Sequence, residues 1–271
     1  IVEAYFYDDG TDEPRLPRPI FDHGGGSAGF GCIYLRYGSH FIVRSICGKN
    51  STASGGAAVR VRGAKFVEIY DCEGFDNTHG ITVVGDAAAN PTEDVTIHGC
   101  NMHHNEGSGI HFSYGNESGA TIRRMTITGN KIWENGLGGS SSYRGGIMSQ
   151  NITSTTTNLT NTNYAIWDIK IDDNEVFRNR SYAINLYGAR VDTYDRNSVS
   201  WNEVYENGYS LDLDTHCVWI GACVDTDADF NHVHHNYGWL SGSAGSGVGI
   251  FLDYNSTSVV GCDNCRARGN W

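Results

Sequence analysis

The residues whose types and spacing invite chemistry are acidic first. Asp212 and Asp214 stand in the segment SLDLD, and Asp253 ends the segment GIFLD. If both segments are strands of successive repeats, Asp214 and Asp253 are neighbours, with Asp212 close by. Two carboxylates about 5 Å apart raise one another's pKa or share a cation. A pair at that separation suits glycoside hydrolysis, one carboxyl as acid and the other as nucleophile. Asp214 and Asp253 could equally hold Ca²⁺ through several oxygen donors. The same residues also fit a solvated acidic face. A second acidic run, Asp225, Asp227 and Asp229, stands beside Lys170 and Asp172, two to three coils away in the preceding strand.

Aromatic residues recur at one position of a repeated block: Phe75, His103, Trp133, Phe177, Tyr205 and His234. Facing outward, they would form a continuous stripe, and aromatic faces bury the apolar C–H surface of sugar rings. Trp133, Phe177 and Tyr205 are the expected sugar contacts, joined by His111 and Tyr187 from a second set of strands. Packing of these rings under loops or glycans is the alternative.

What positions all of these residues is a repeat. CEGFDN at 72–77, CNMHHN at 100–105, NKIWEN at 130–135, NEVFRN at 174–179, NEVYEN at 202–207 and NHVHHN at 231–236 align without adjustment. Each follows an alternating segment such as VEIYD or VTIHG, and alternation is the signal of a strand. Each precedes a second one: GITVV, GIHFS, GIMSQ, AINLY, SLDLD or GIFLD. These second strands would project Thr82, His111, Met148, Asn185, Asp212 and Phe251 outward, then Val84, Ser113, Gln150, Tyr187, Asp214 and Asp253. Three short strands in roughly 28 residues, separated by Gly and Asn turns, predict a parallel β-solenoid of seven to eight coils.

The period of two also sorts the block residues. Cys72, Cys100, Asn130, Asn174, Asn202 and Asn231 should face inward as one column. Coils stack about 4.8 Å apart, so buried Asn amides can bond up and down it. A second column, Asn77, Asn105, Asn135, Asn179, Asn207 and Asn236, should close tight turns, because Asn tolerates left-handed backbone.

The N-x-[VIM]-x-x-N-x-G-x-G-I pattern, with IVEAYFYDDG and PIFDHGGG as a first coil, resembles the right-handed parallel β-helix of pectate-lyase-type and related carbohydrate-active proteins. The resemblance covers nearly the whole chain and implies one all-β domain over residues 1–271. For lyases of this fold it implies Ca²⁺ to neutralise a uronate and a Lys or Arg to remove the proton, for which Lys170 is a possible base that nothing specific singles out. The NTD and Gly-Asp-Asp of polygalacturonase-like hydrolases and the Asp-Pro-His of mannuronan epimerases do not occur.

Composition bounds the context. The 35 Gly carry no collagen period, and 39% hydrophobic residues are enough for a core. A net charge of −12 excludes a nucleic-acid partner, which needs clustered Lys and Arg, and no apolar run is long enough to span a membrane. Eight Cys suggest pairing: Cys72 with Cys100 by stacking, Cys217 with Cys223 across a loop, Cys32 with Cys47, and Cys262 with Cys265. N-x-[ST] sequons occur at Asn50, Asn116, Asn151, Asn158 and Asn255, and at Asn179 inside the predicted turn ladder. Even cysteines and sequons together point to a secreted or surface-exposed glycoprotein.

The chain starts on an apolar alternating segment and ends in a repeat turn. Open coils expose unpaired strand edges, so end-to-end stacking into fibres, or membership of a larger surface protein, is expected. Two functions follow: an enzyme on extracellular polysaccharide, hydrolase or lyase, working at Asp212, Asp214 and Asp253; or a structural or adhesive glycoprotein.

Overall fold

The computed structural model describes residues 2–3, 18–25, 31–53, 55–87, 89–113, 120–138, 144–150, 165–191, 196–208, 216–237, 248–253 and 262–271. They form a right-handed parallel β-helix of about eight coils, with three parallel sheets and no helix among the described residues.

The first sheet runs from Val2–Glu3 through Ser39–Arg44, Lys65–Tyr70, Thr92–His98, Thr121–Thr128, Ala165–Asp172, Asn197–Ser200 and Thr226–Asp229 to Arg266–Arg268. The second contains three-residue strands only: Ile20–Asp22, Cys47–Lys49, Glu73–Phe75, Asn101–His103, Lys131–Trp133, Glu175–Phe177, Glu203–Tyr205 and His232–His234. The third contains Ile33–Arg36, Ala57–Arg62, His79–Val84, Ile110–Ser113, Gly145–Gln150, Tyr182–Tyr187, His216–Gly221 and Val248–Asp253.

The core is built from columns. In the third sheet Ile33, Val59, Ile81, Ile110, Ile147, Ile184, Val218 and Ile250 stand in one row. β-branched side chains suit this pleated surface, where each packs on the same residue type one coil away. The row meets Met102, Ile132 and Val176 of the second sheet inside the same apolar cluster.

Both asparagine columns form as the blocks predict. Asn174 and Asn202 each reach the next coil, with Nδ2 donating to Oδ1 of Asn202 and Asn231 respectively at 3.0 Å. The second ladder runs from Asn105 through Asn135, Asn179 and Asn207 to Asn236 by the same bond. The turn geometry differs from the expectation. The left-handed backbone falls on the residue before each asparagine: Asp76, His104, Glu134, Arg178, Glu206 and His235 all have φ between 51 and 54°. The asparagine itself points inward, and its Nδ2 returns to the carbonyl two residues back, as Asn135 does to Trp133 at 3.0 Å. The side chain thus takes the backbone acceptors that the turn leaves over.

All eight cysteines are free thiols in this structure, so the expected disulfides are not formed in it. Cys72 and Cys100 do stack in one column as hydrogen-bonded thiols, and Cys262 and Cys265 are likewise in contact. Cys217 and Cys223 are likewise unbonded in this structure. Cys217 sits in the core, where burial pushes its thiol up to about 12. The Cys223 thiol donates to the carbonyls of Leu186 and Gly221. Asn179 is fully buried in its ladder, whereas Asn50 is half-buried, its Nδ2 donating to Asp22. Sequons Asn116, Asn151, Asn158 and Asn255 lie outside the described residues.

Candidate functional site

The outward face of the third sheet collects groups that the core does not need. One row reads Tyr34, Arg60, Thr82, His111, Met148, Asn185, Trp219 and Phe251. The next reads Arg36, Arg62, Val84, Ser113 and Gln150, and, further along, Tyr187, Gly221 and Asp253. Thr82, His111, Met148, Asn185 and Phe251 are therefore where the alternation places them, and His111 and Tyr187 share one face.

These positions point away from the core yet are withdrawn from solvent. Thr82 is 2% exposed, His111 7% and Asn185 1%. Thr82 Oγ1, Asn185 Oδ1 and Trp219 Nε1 are buried without a hydrogen-bond partner. Buried polar atoms are almost always paired, so three unpartnered ones in one outward row make this face a candidate site. Aromatic rings surround them. Tyr182 stacks on Trp219 at 5.4 Å, Tyr187 meets its edge at 5.8 Å, and His216 stacks on Phe251 at 4.6 Å.

His79 stacks on His111 at 4.5 Å. Burial holds the His79 imidazole well below its ordinary pKa, and the neighbouring His111, Arg144 and Arg60 push the same way. Its Nδ1 accepts the backbone N–H of Ser108 at 3.0 Å, so the ring proton is on Nε2. His79 is thus a neutral ring with its Nδ1 taken by the backbone.

One end of the face is cationic. Burial lowers the Arg60 pKa; Tyr34 opposes the shift, and the like charges of Arg62 and Arg36 add to it. Arg60 also donates to the Gly55 carbonyl, and Arg62 pairs with buried Asp86 at 3.1 Å. Among the described residues, a chain of net charge −12 gathers the guanidiniums of Arg36, Arg60 and Arg62 here.

The register assumed for Asp253 differs from the one observed. Asp253 ends its strand beside Gly221, because the strand of the preceding coil is His216–Gly221 and not SLDLD. The coil carries extra residues between Asn207 and His216, so counting one repeat length from Tyr182–Tyr187 lands too early. Asp212 and Asp214 lie outside the described residues. Trp219 takes the row position assigned to Asp212. It was legible in HCVWIG, which alternates as well as SLDLD does.

The second acidic run is an ion-pair network on the first sheet. Asp227 is held by Arg196 at 2.6 Å and Arg266 at 2.6 Å, Asp229 by Arg268 at 2.5 Å, and Asp225 by Arg196 at 3.4 Å. Lys170 lies in that same sheet, beside Ser198, away from the third-sheet face. Asp172 accepts from Ser198 and the Ser200 backbone.

The aromatic stripe exists, but its faces are taken. Phe75, His103, Trp133, Phe177, Tyr205 and His234 stack in sequence with centroids 5.3, 4.2, 5.9, 4.9 and 5.2 Å apart. In-register strands set rings at this spacing, so each ring covers its neighbour. Trp133, Phe177 and Tyr205 present edges only, and a sugar ring has no face to lie on.

Residues 26–159 match the family model described as right handed beta helix region. Among solved structures the chain is similar to an alginate lyase from Paenibacillus sp. str. FPU-7, at 15% identity and a TM-score of 0.47, over 93% of this chain and 85% of that one. No curated protein matches the chain.

Proposed function

We propose that this β-helix is an extracellular polysaccharide-acting protein and that the outward face of its third sheet holds the glycan. The observation that carries the reading is the row Thr82, Asn185 and Trp219, whose buried polar atoms lack protein partners among aromatic rings. Sugars offer what this surface asks for: hydroxyls for the orphaned donors and acceptors, and C–H faces for Trp219 and Tyr182. Successive coils repeat the row at about 4.8 Å, so a chain of sugar units can lie along it. Arg36, Arg60 and Arg62 at one end favour units that carry a carboxylate, because guanidinium binds carboxylate in two-pronged fashion. His111, His79 and Tyr187 are the groups on this face able to hold or move a proton.

The test is binding and turnover on a panel of neutral and uronate-containing polysaccharides. The reading expects uronate polymers to bind, with loss in Trp219→Ala and in Arg60→Ala. New unsaturated ends indicate a lyase and new reducing ends alone a hydrolase. Binding without either product favours the adhesive alternative, and no binding to any glycan overturns the proposal.

A further inference from the structure

The second sheet carries a different constellation at its C-terminal end. Its outward side has two rows. The aromatic ladder is one; the other holds Glu73, Asn101, Lys131, Glu175, Glu203 and His232. A diagonal contact recurs between them, from an aromatic residue to the glutamate one coil earlier. His103 Nε2 meets Glu73 at 3.0 Å, and the Tyr205 hydroxyl donates to Glu175 at 2.6 Å. His234 and Glu203 are the next such pair. Here the pattern changes in two ways. The His234 Nε2 stands 3.6 Å from Glu203 Oε1, beyond hydrogen-bond length, and is buried with no hydrogen-bond partner. The row position beside Glu203 is filled by His232, whose Nδ1 lies 3.8 Å from the same oxygen.

We infer that Glu203, His232 and His234 form a binding site for a divalent transition-metal cation of the zinc class. Their ligand atoms all lie within 4.8 Å of one another. Tetrahedral Zn²⁺ with bonds of about 2.0–2.1 Å places its ligands roughly 3.3 Å apart, so both measured edges need to contract by a few tenths of an ångström. Two imidazoles and one carboxylate select Zn²⁺, Co²⁺ or Ni²⁺ and exclude Ca²⁺, which takes oxygen ligands. The donors of His232 and His234 are set by strand geometry. Residues two apart on a strand share a face, and Glu203 is the register partner of His232.

The supporting groups are also in place. His234 Nδ1 lies 2.7 Å from Nδ1 of His235, so one ring donates to the other. With the proton on His234 Nδ1, its Nε2 lone pair faces the site, the arrangement by which a second partner orients a metal-bound histidine. The Tyr205 ring stacks on His234 at 5.2 Å, and the Trp271 ring stacks on His232 at 5.6 Å, which restricts both imidazoles. Glu203 and His232 are half-exposed, leaving a fourth position to water or to a ligand atom. The site is on the second sheet, separate from the proposed glycan face on the third.

Isothermal titration of the metal-free protein with Zn²⁺ tests it, with Co²⁺ absorption as a check on geometry. One equivalent should bind, with a tetrahedral Co²⁺ spectrum, and Ca²⁺ should give no heat. His232→Ala, His234→Ala and Glu203→Gln should each abolish this binding with unchanged circular dichroism. His235→Ala should weaken it by about tenfold, and His104→Ala, in the other paired-histidine block, should leave it intact. Because Glu203→Gln keeps size and shape, it reports on the site even where a histidine variant misfolds. No Zn²⁺ binding, or binding that survives both Glu203→Gln and His232→Ala, overturns the inference.

Discussion

Trp219 lies beside Asn185 in the outward row of the third sheet, and the indole Nε1 of one and the amide oxygen of the other are both buried without a protein partner. On the proposed function, this donor and acceptor one coil apart contact the glycan. Replacing Asn185 by Leu removes the acceptor and keeps the volume. It should leave melting temperature unchanged or raise it, since a buried unpaired oxygen is lost, while glycan affinity falls by about 1–3 kcal/mol. Calorimetric titration beside a thermal melt separates the two effects.

The stacked ladder predicts the opposite behaviour. Trp133 stacks between His103 and Phe177, at 4.2 and 5.9 Å. Trp133→Ala removes two ring contacts of about 0.5–1.5 kcal/mol each. It should lower stability by that sum in denaturant unfolding and leave glycan binding as it was.

The inner ladder is the fold's most exacting feature. Asn202 Nδ2 donates to Ile171, Ser200 and Asn231, and its Oδ1 accepts from the backbone and side chain of Asn174. Asn202→Ala leaves buried donors and acceptors unpaired in three coils, at about 1–3 kcal/mol. A melting temperature equal to that of the wild type would contradict the ladder.

Acid should weaken the edge of the first sheet. Burial pulls the Asp227 carboxyl up, but hydrogen bonds from Arg266 and Arg196 outweigh it and hold the group below its ordinary value. A depressed folded pKa contributes stability that is complete above the unfolded value, near pH 3.9, and is lost as pH falls through the folded value. Asp227→Asn should therefore destabilise at neutral pH, by about 1 kcal/mol given the exposure of the arginines. The difference from wild type should shrink steadily below about pH 4, read as melting temperature against pH.

Modification gives a fifth check. Asn179 is fully buried and bonds Asn207 above it and Asn135 below. Mass spectrometry of protein made in a glycosylating host should find this sequon bare, because a glycan on Nδ2 would break the ladder.

The sequence by itself determined the repeat and therefore the fold. Six aligned blocks ending in asparagine fix which residues face in, and a period of two then places Thr82, His111, Asn185 and Tyr187 outside on one sheet. Tertiary structure decided what depends on coil length and on contacts between coils. A solenoid tolerates insertions at its corners, because only the stacked strands must keep register. SLDLD was thus displaced by His216–Gly221, and Asp253 came to lie beside Gly221. The spacing of coils decided the rest. Rings set one coil apart cover one another, which closed the stripe of Trp133, Phe177 and Tyr205 to sugars. The same spacing brought Glu203 and His232 side by side, 29 residues apart in the chain and neighbours only once their strands pair.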